Sequence, residues 1–118
     1  MAEGVGRQQR PAAPAGQPGM DKPIYTISVA SEILETHPRT LMMYENMALV
    51  VPQRTATNRR RYSQRDILKL QTIQNLTRNH GVNLTGVRYV LTLMKLLHEH
   101  DVQPPDGLRD IDVSQLEA

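Results

Sequence analysis

The sequence predicts a mainly helical fold of four helices and one short β-hairpin, the hairpin standing as a wing beside a helix-turn-helix. Three observations predict it. Helix-start signals stand at Ser28, at Thr36-His37-Pro38 and at Ser63-x-x-Asp66, with apolar residues at helical spacing behind each. Between the second and third of these lie two short arms around a polar, basic tip, the pattern of a single hairpin. A further apolar stretch follows Gly81-Val82-Asn83 and is long enough for a fourth helix.

Ser28 is placed to cap a first short helix ending near Leu34, with Ala30, Ile33 and Leu34 facing inward. Pro38 occupies a first-turn position, where its missing N–H removes no helical bond, and Thr36 or His37 supplies the cap. That second helix runs to about Met47. Val50-Val51 and Arg61-Tyr62 are expected to pair as hairpin arms, with residues 55–60 as the tip and Asn58 suited to the tight turn. Ser63 and Asp66 form a capping box, each side chain accepting from the other's backbone N–H, and Tyr62 can staple onto Ile67. The third helix passes through Ile67, Leu70, Ile73 and Leu76 and stops before Gly81, a residue able to turn left-handed at a helix end.

In the fourth helix, about residues 84–98, apolar side chains sweep an arc of roughly 240°, where a surface helix needs about 100°. The surplus needs a cover. A second copy of the chain is the simplest one, which makes Val90, Leu93, Leu96 and Leu97 the expected dimerisation residues.

The ends differ from the middle. Residues 1–22 are rich in Ala, Gly, Pro and Gln and are expected to form a disordered arm. Residues 23–100 make the folded domain, and residues 101–118, with Pro104-Pro105-Asp106-Gly107 and then Asp110, Asp112 and Glu117, are expected to form a flexible acidic tail with a frayed turn near residues 113–116.

Composition narrows function. With no cysteine, disulfides, zinc–thiolate sites and thiol catalysis are excluded, and a reduced cytoplasm is the expected setting. No run of eighteen apolar residues and no secretory leader is present, so no membrane association is expected. Phe and Trp are absent, which disfavours a single-strand binder built on aromatic stacking. Phosphate-loop, nucleophile-elbow and zinc-protease motifs are all missing, so no catalytic residue, metal or cofactor is expected. His37, His80, His98 and His100 lack the spacing of a ligand set and read as solvated.

What remains is charge. Arg39, Arg54, Arg59, Arg60, Arg61 and Arg65 face one acid, Glu45, within residues 39–65. A helix of about 10–12 Å diameter fits the DNA major groove, and arginines on an adjoining hairpin can reach the flanking phosphates. Arg39, at the start of the second helix, is the candidate for a base edge. Thr40 is a candidate phosphate contact or a locally bonded helix-start residue. Tyr44 can bury its ring with its hydroxyl on a phosphate, or be a plain core tyrosine. Three arginines at residues 59–61 repel each other on one hairpin, and phosphates relieve that repulsion.

His37-Pro38-Arg39-Thr40-Leu41, Arg54-Thr55-x-x-Asn58-x-Arg60-x-Tyr62-Ser63 and Gly81-Val82-Asn83-Leu84-x-Gly86-Val87 resemble, in order and spacing, the MerR family of winged-helix regulators, from Tyr25 to about His98. The heat-shock repressor branch shows the greatest likeness, while a nitrogen-regulator branch shares the N-R-R wing and a G-V-N turn. The resemblance implies a dimer that binds an inverted repeat in double-stranded DNA and represses chaperone genes, with an Hsp70-type chaperone as co-repressor. It also ranks Arg60 first among the wing arginines and adds Arg54 and Tyr62 to the DNA-contact set. Met42 and Met43 stand where many relatives carry Arg and Tyr, and Ala48 stands where Gly is usual. Either the turn at Ala48 needs no positive φ, or it bears strain. Two other functions stay open: a ligand-sensing activator of the same family, and an interaction adaptor that binds a chaperone through the fourth helix and tail.

Overall fold

The computed structural model describes residues 18–111 together with residue 113. The expected N-terminal arm up to residue 17, and residues 112 and 114–118 of the expected tail, lie outside them. Four helices form: α1 (Ile27–Leu34), α2 (Pro38–Asn46), α3 (Gln64–Arg78) and α4 (Leu84–Glu99). Between α2 and α3 stands an antiparallel hairpin of β1 (Gln53–Arg54) and β2 (Arg60–Arg61), and two short 3-10 turns, Pro18–Met20 and Asp106–Leu108, flank the helices. This is the mainly helical, four-helix winged arrangement that the sequence predicts.

α3 is the centre. It packs on α1 from one side and on α4 from the other, and α1 packs in turn on α2. Its Ile67, Leu70, Ile73 and Leu76, spaced three apart, are fully buried, and Leu34, Leu41, Val87, Leu91 and Met94 close around them. The capping box forms as expected, with Asp66 N–H donating to Ser63 Oγ and Ser63 N–H donating to Asp66 Oδ2, each at 3.0 Å. No helix among the described residues is long and apolar enough to cross a membrane.

Four expectations shift. The first helix starts earlier, because Thr26, not Ser28, is the cap: its Oγ1 accepts from Val29 N–H at 3.1 Å. The cause is tertiary. Tyr25 N–H donates to Tyr62 C=O at 2.9 Å and Tyr62 N–H donates back at 2.7 Å, which fixes the chain just ahead of Thr26. Ala30 and Leu34 still face inward, but Ile33 is exposed.

The hairpin arms also differ. Gln53 pairs with Arg61 and Arg54 with Arg60, not Val50-Val51 with Arg61-Tyr62. Pro52 has no N–H to donate to a ladder. Val50 goes into the core instead, Val51 stays outside, and Tyr62 pairs with Tyr25.

The third shift concerns the tail. The chain turns back after α4, and Ile111 and Val113 are buried against the core. Asp110 accepts from Asn75 Nδ2 at 3.0 Å and meets His80 Nε2 at 3.1 Å, both on or just after α3. The described part of residues 101–118 is therefore a strap. Its two apolar side chains supply the burial that the acidic composition masked. Two histidines expected to be solvated have partners: His80 meets Asp110 of the strap, and His37 accepts from Arg39 N–H at the start of α2.

The fourth lies at the other end. Residues 18–22, assigned to the arm, include the 3-10 turn, and Asp21 Oδ1 accepts from Arg65 Nε at 2.8 Å.

Candidate nucleic-acid interface

α2 begins at a defined point. His37 Nδ1 accepts from Arg39 N–H at 3.0 Å, which makes His37 the cap and places Pro38 in the first turn. Leu41 and Tyr44 face inward, and burial pushes the Tyr44 phenol above its ordinary range, with the Arg78 charge opposing. The outward side carries Arg39, Met43 and Asn46, all exposed, at i, i+4 and i+7. Those positions form one stripe along the helix. Thr40 is half-buried, and its N–H donates to His37 C=O at 2.9 Å, a helix-start bond.

The end of α2 is fixed as firmly as its start. Ala48 N–H donates to Glu45 C=O at 2.8 Å and Leu49 N–H to Tyr44 C=O at 3.0 Å, the paired bonds of a Schellman motif. Ala48 sits at φ 58, so the turn does require the left-handed conformation and bears its strain. Arg88 of α4 donates through Nη2 to Met47 C=O, tying the same turn to the body.

From this turn the chain enters the wing. Thr55 N–H donates to Arg59 C=O and Asn58 N–H to Thr55 C=O, each at 2.8 Å, and Asn58 takes φ 65. That is a three-residue hairpin loop with its last residue left-handed, a conformation that asparagine tolerates. Arg54 and Arg60 are direct cross-strand partners, and like charges so placed repel. Glu45 relieves this. Its Oε1 accepts from Arg60 Nε at 2.7 Å and its Oε2 from Arg54 Nη2 at 3.0 Å. The Arg60 bond first, then Arg54, holds the Glu45 carboxyl below the ordinary glutamate range despite some desolvation. One carboxylate on α2 thus fastens both strands of the wing to the helix. Arg59 is exposed at the tip, with its N–H donating to Thr55 Oγ1 at 3.1 Å. Arg61 is half-buried and donates to Arg60 C=O at 2.9 Å.

The structure therefore fastens Arg54 and Arg60 to the end of α2 and carries Arg59 and Arg61 on the same hairpin. Arg60 is less open than the sequence suggests, its side chain being 25% exposed. Two residues leave the surface. Tyr62 is 1% exposed, its hydroxyl makes no hydrogen bond among the described residues, and burial pushes its phenol up to about 12. It is a core residue, because its backbone pairing with Tyr25 turns the ring inward. Arg65, counted with the basic run, donates to Asp21 instead.

Asn46, exposed on the α2 stripe, and Glu45, bonded to both wing arginines, are candidates that the structure adds. Asn46 is legible as the position seven residues after Arg39. Glu45 is legible only as the lone acid among arginines, since its two partners depend on the angle of the wing.

On α4 the apolar arc divides. Val87, Leu91 and Met94 are buried, and Val90 and Leu97 are half-buried against the core. Tyr89, Leu93 and Leu96 stay 68%, 59% and 46% exposed, at i, i+4 and i+7. Of the four expected dimerisation residues, only Leu93 and Leu96 lie on the open stripe, and Tyr89 joins them.

The profile of MerR HTH family regulatory proteins matches residues 25–94. The chain is 45% identical over 73 residues to the putative heat shock protein HspR of Streptomyces coelicolor, covering 62% of this chain and 48% of that protein. It thus spans about half the length of that relative. It is 32% identical over 94 residues to the HTH-type transcriptional regulator GlnR of Bacillus anthracis, covering 80% of this chain and 71% of GlnR. Among solved structures it is similar to HiNmlR, a MerR family regulator lacking the sensor domain, bound to promoter DNA. That likeness has a TM-score of 0.54 at 25% identity and covers 61% of this chain and 55% of HiNmlR. By its profile match, and by the extent of its likeness to GlnR, the chain belongs to the MerR family of helix-turn-helix regulatory proteins.

Proposed function

We propose that this protein binds duplex DNA as a dimer at an inverted repeat and represses heat-shock and chaperone genes. The observation that carries DNA binding is the pairing of the exposed α2 stripe with an arginine wing fastened to the end of the same helix. Arg39 at the helix start suits a guanine edge, Asn46 suits an adenine, and Met43 offers apolar contact to a thymine methyl. Arg54, Arg59, Arg60 and Arg61 neutralise flanking phosphates. HiNmlR, bound to promoter DNA, supports the same use of the fold. The open α4 stripe of Tyr89, Leu93 and Leu96 is the face for a second copy, and two-fold symmetry then dictates an inverted repeat.

Heat-shock control rests on the 45% identity to the Streptomyces heat shock protein. A second reading, control of nitrogen genes, is favoured by the N-R-R wing and G-V-N turn that resemble the nitrogen-regulator branch. Capture of genomic fragments on the protein, followed by sequencing, separates them. Enrichment of chaperone promoters supports the first reading, and enrichment of nitrogen-assimilation promoters the second. Equal recovery of all fragments contradicts both. Adding an Hsp70-type chaperone to the binding reaction tests the co-repressor implied by the resemblance, which predicts tighter retention of the chaperone promoters.

A further inference from the structure

Glu45 stands in an unexpected place. It lies in the last turn of α2, where the helix dipole disfavours an acid. It is also the one acid within residues 39–65, a stretch that holds six arginines. A residue selected only for DNA affinity would not be a carboxylate here, because a fixed negative charge repels phosphate. Its side chain, 17% exposed, instead bonds Arg54 and Arg60 on opposite strands.

We infer that Glu45 is a specificity-determining residue, holding the two wing arginines in one geometry while cancelling one unit of charge that would otherwise attract any duplex. The inference rests on the DNA-binding reading above. Two effects combine. Nonspecific binding follows the number of phosphates neutralised, so subtracting a charge weakens it at every sequence. Specific binding needs the wing in a fixed relation to the helix in the groove. Guanidiniums already ordered by Glu45 lose less freedom on binding there. The first effect lowers random binding, and the second protects the chosen site.

The test uses the full chain and two duplexes, one selected by the wild type from a random library and one scrambled. Affinity is measured across a salt series for wild type, Glu45→Gln and Glu45→Asp, with thermal melts confirming that each is folded. Glu45→Gln keeps the shape and one acceptor but removes the charge. It should bind the scrambled duplex about fivefold more tightly near 0.1 M salt, with a salt slope steeper by about 0.9. The selected duplex should gain less, so the ratio of the two affinities falls. Glu45→Asp keeps the charge and should keep the wild-type slope. Equal losses on both duplexes with an unchanged slope would make Glu45 a mere brace and overturn the inference. No change in Glu45→Gln, or the same change in Glu45→Asp, also overturns it. A wild type that retains no sequence from the library overturns the DNA-binding reading itself, and the inference falls with it.

Discussion

Tyr62 shows how a single side chain separates packing from contact. The wing motif places it among the DNA-contact residues, yet the ring is sealed in the core and its hydroxyl has no hydrogen-bond partner among the described residues. A buried polar group without a partner costs about 1–3 kcal/mol. Tyr62→Phe should therefore leave DNA affinity unchanged and hold or raise stability, by about 1 kcal/mol at most, in chemical denaturation. A loss of DNA affinity with the fold intact would return Tyr62 to the surface. The exposure of Arg39 and Arg59 is legible in the sequence because each depends on a local feature: a proline-led helix start and a turn residue. The positions of Tyr62 and Arg65 are not, since the partners that turn them inward, Tyr25 and Asp21, are distant in sequence.

At the scale of elements, helix starts read well where the signal is reciprocal and local, as in the Ser63–Asp66 box, in which each side chain accepts from the other's backbone N–H. They read poorly where a distant strand decides. The α1 start lies at Thr26 through the bridge between Tyr25 and Tyr62, and the strand pairing begins after Pro52, which cannot donate to a ladder. The turn after α2 settles an alternative that composition left open. Ala48 adopts φ 58 and carries a penalty that glycine avoids. Ala48→Gly should stabilise the protein by about 0.5–1 kcal/mol, a rise of roughly 3–6 °C in Tm. Calorimetry checks this, and a lower Tm would show that the methyl group contributes more by packing than the strain removes. The Schellman bonds should persist in the variant, leaving the angle between α2 and the wing unaltered.

For the whole molecule, the strap and the α4 stripe were read differently from the sequence for one reason: both depend on what covers what. The acidic tail hid Ile111 and Val113, which pack on the core, and the roughly 240° arc divided into a buried and an open face. The open face gives the assembly prediction. Leu93→Glu should weaken self-association by about a hundredfold or more, the equivalent of about 3 kcal/mol for an unpaired carboxylate at a two-fold contact. Sedimentation at micromolar concentration reads it, with little change expected in the melting of the monomer because Leu93 is exposed. Wild type and variant sedimenting alike would remove α4 as the interface.

The central claim is that α2 reads sequence while the wing holds the backbone. Selection of duplexes from a random library, by wild type and by Arg39→Ala, tests it most directly. The wild type should return one inverted repeat. The variant should return the same repeat with the preference relaxed at one base position in each half-site, the loss of a contact worth about 1–3 kcal/mol. A library that emerges unenriched from the wild type, or an identical motif from both proteins, would contradict the assignment of α2 as the reading helix.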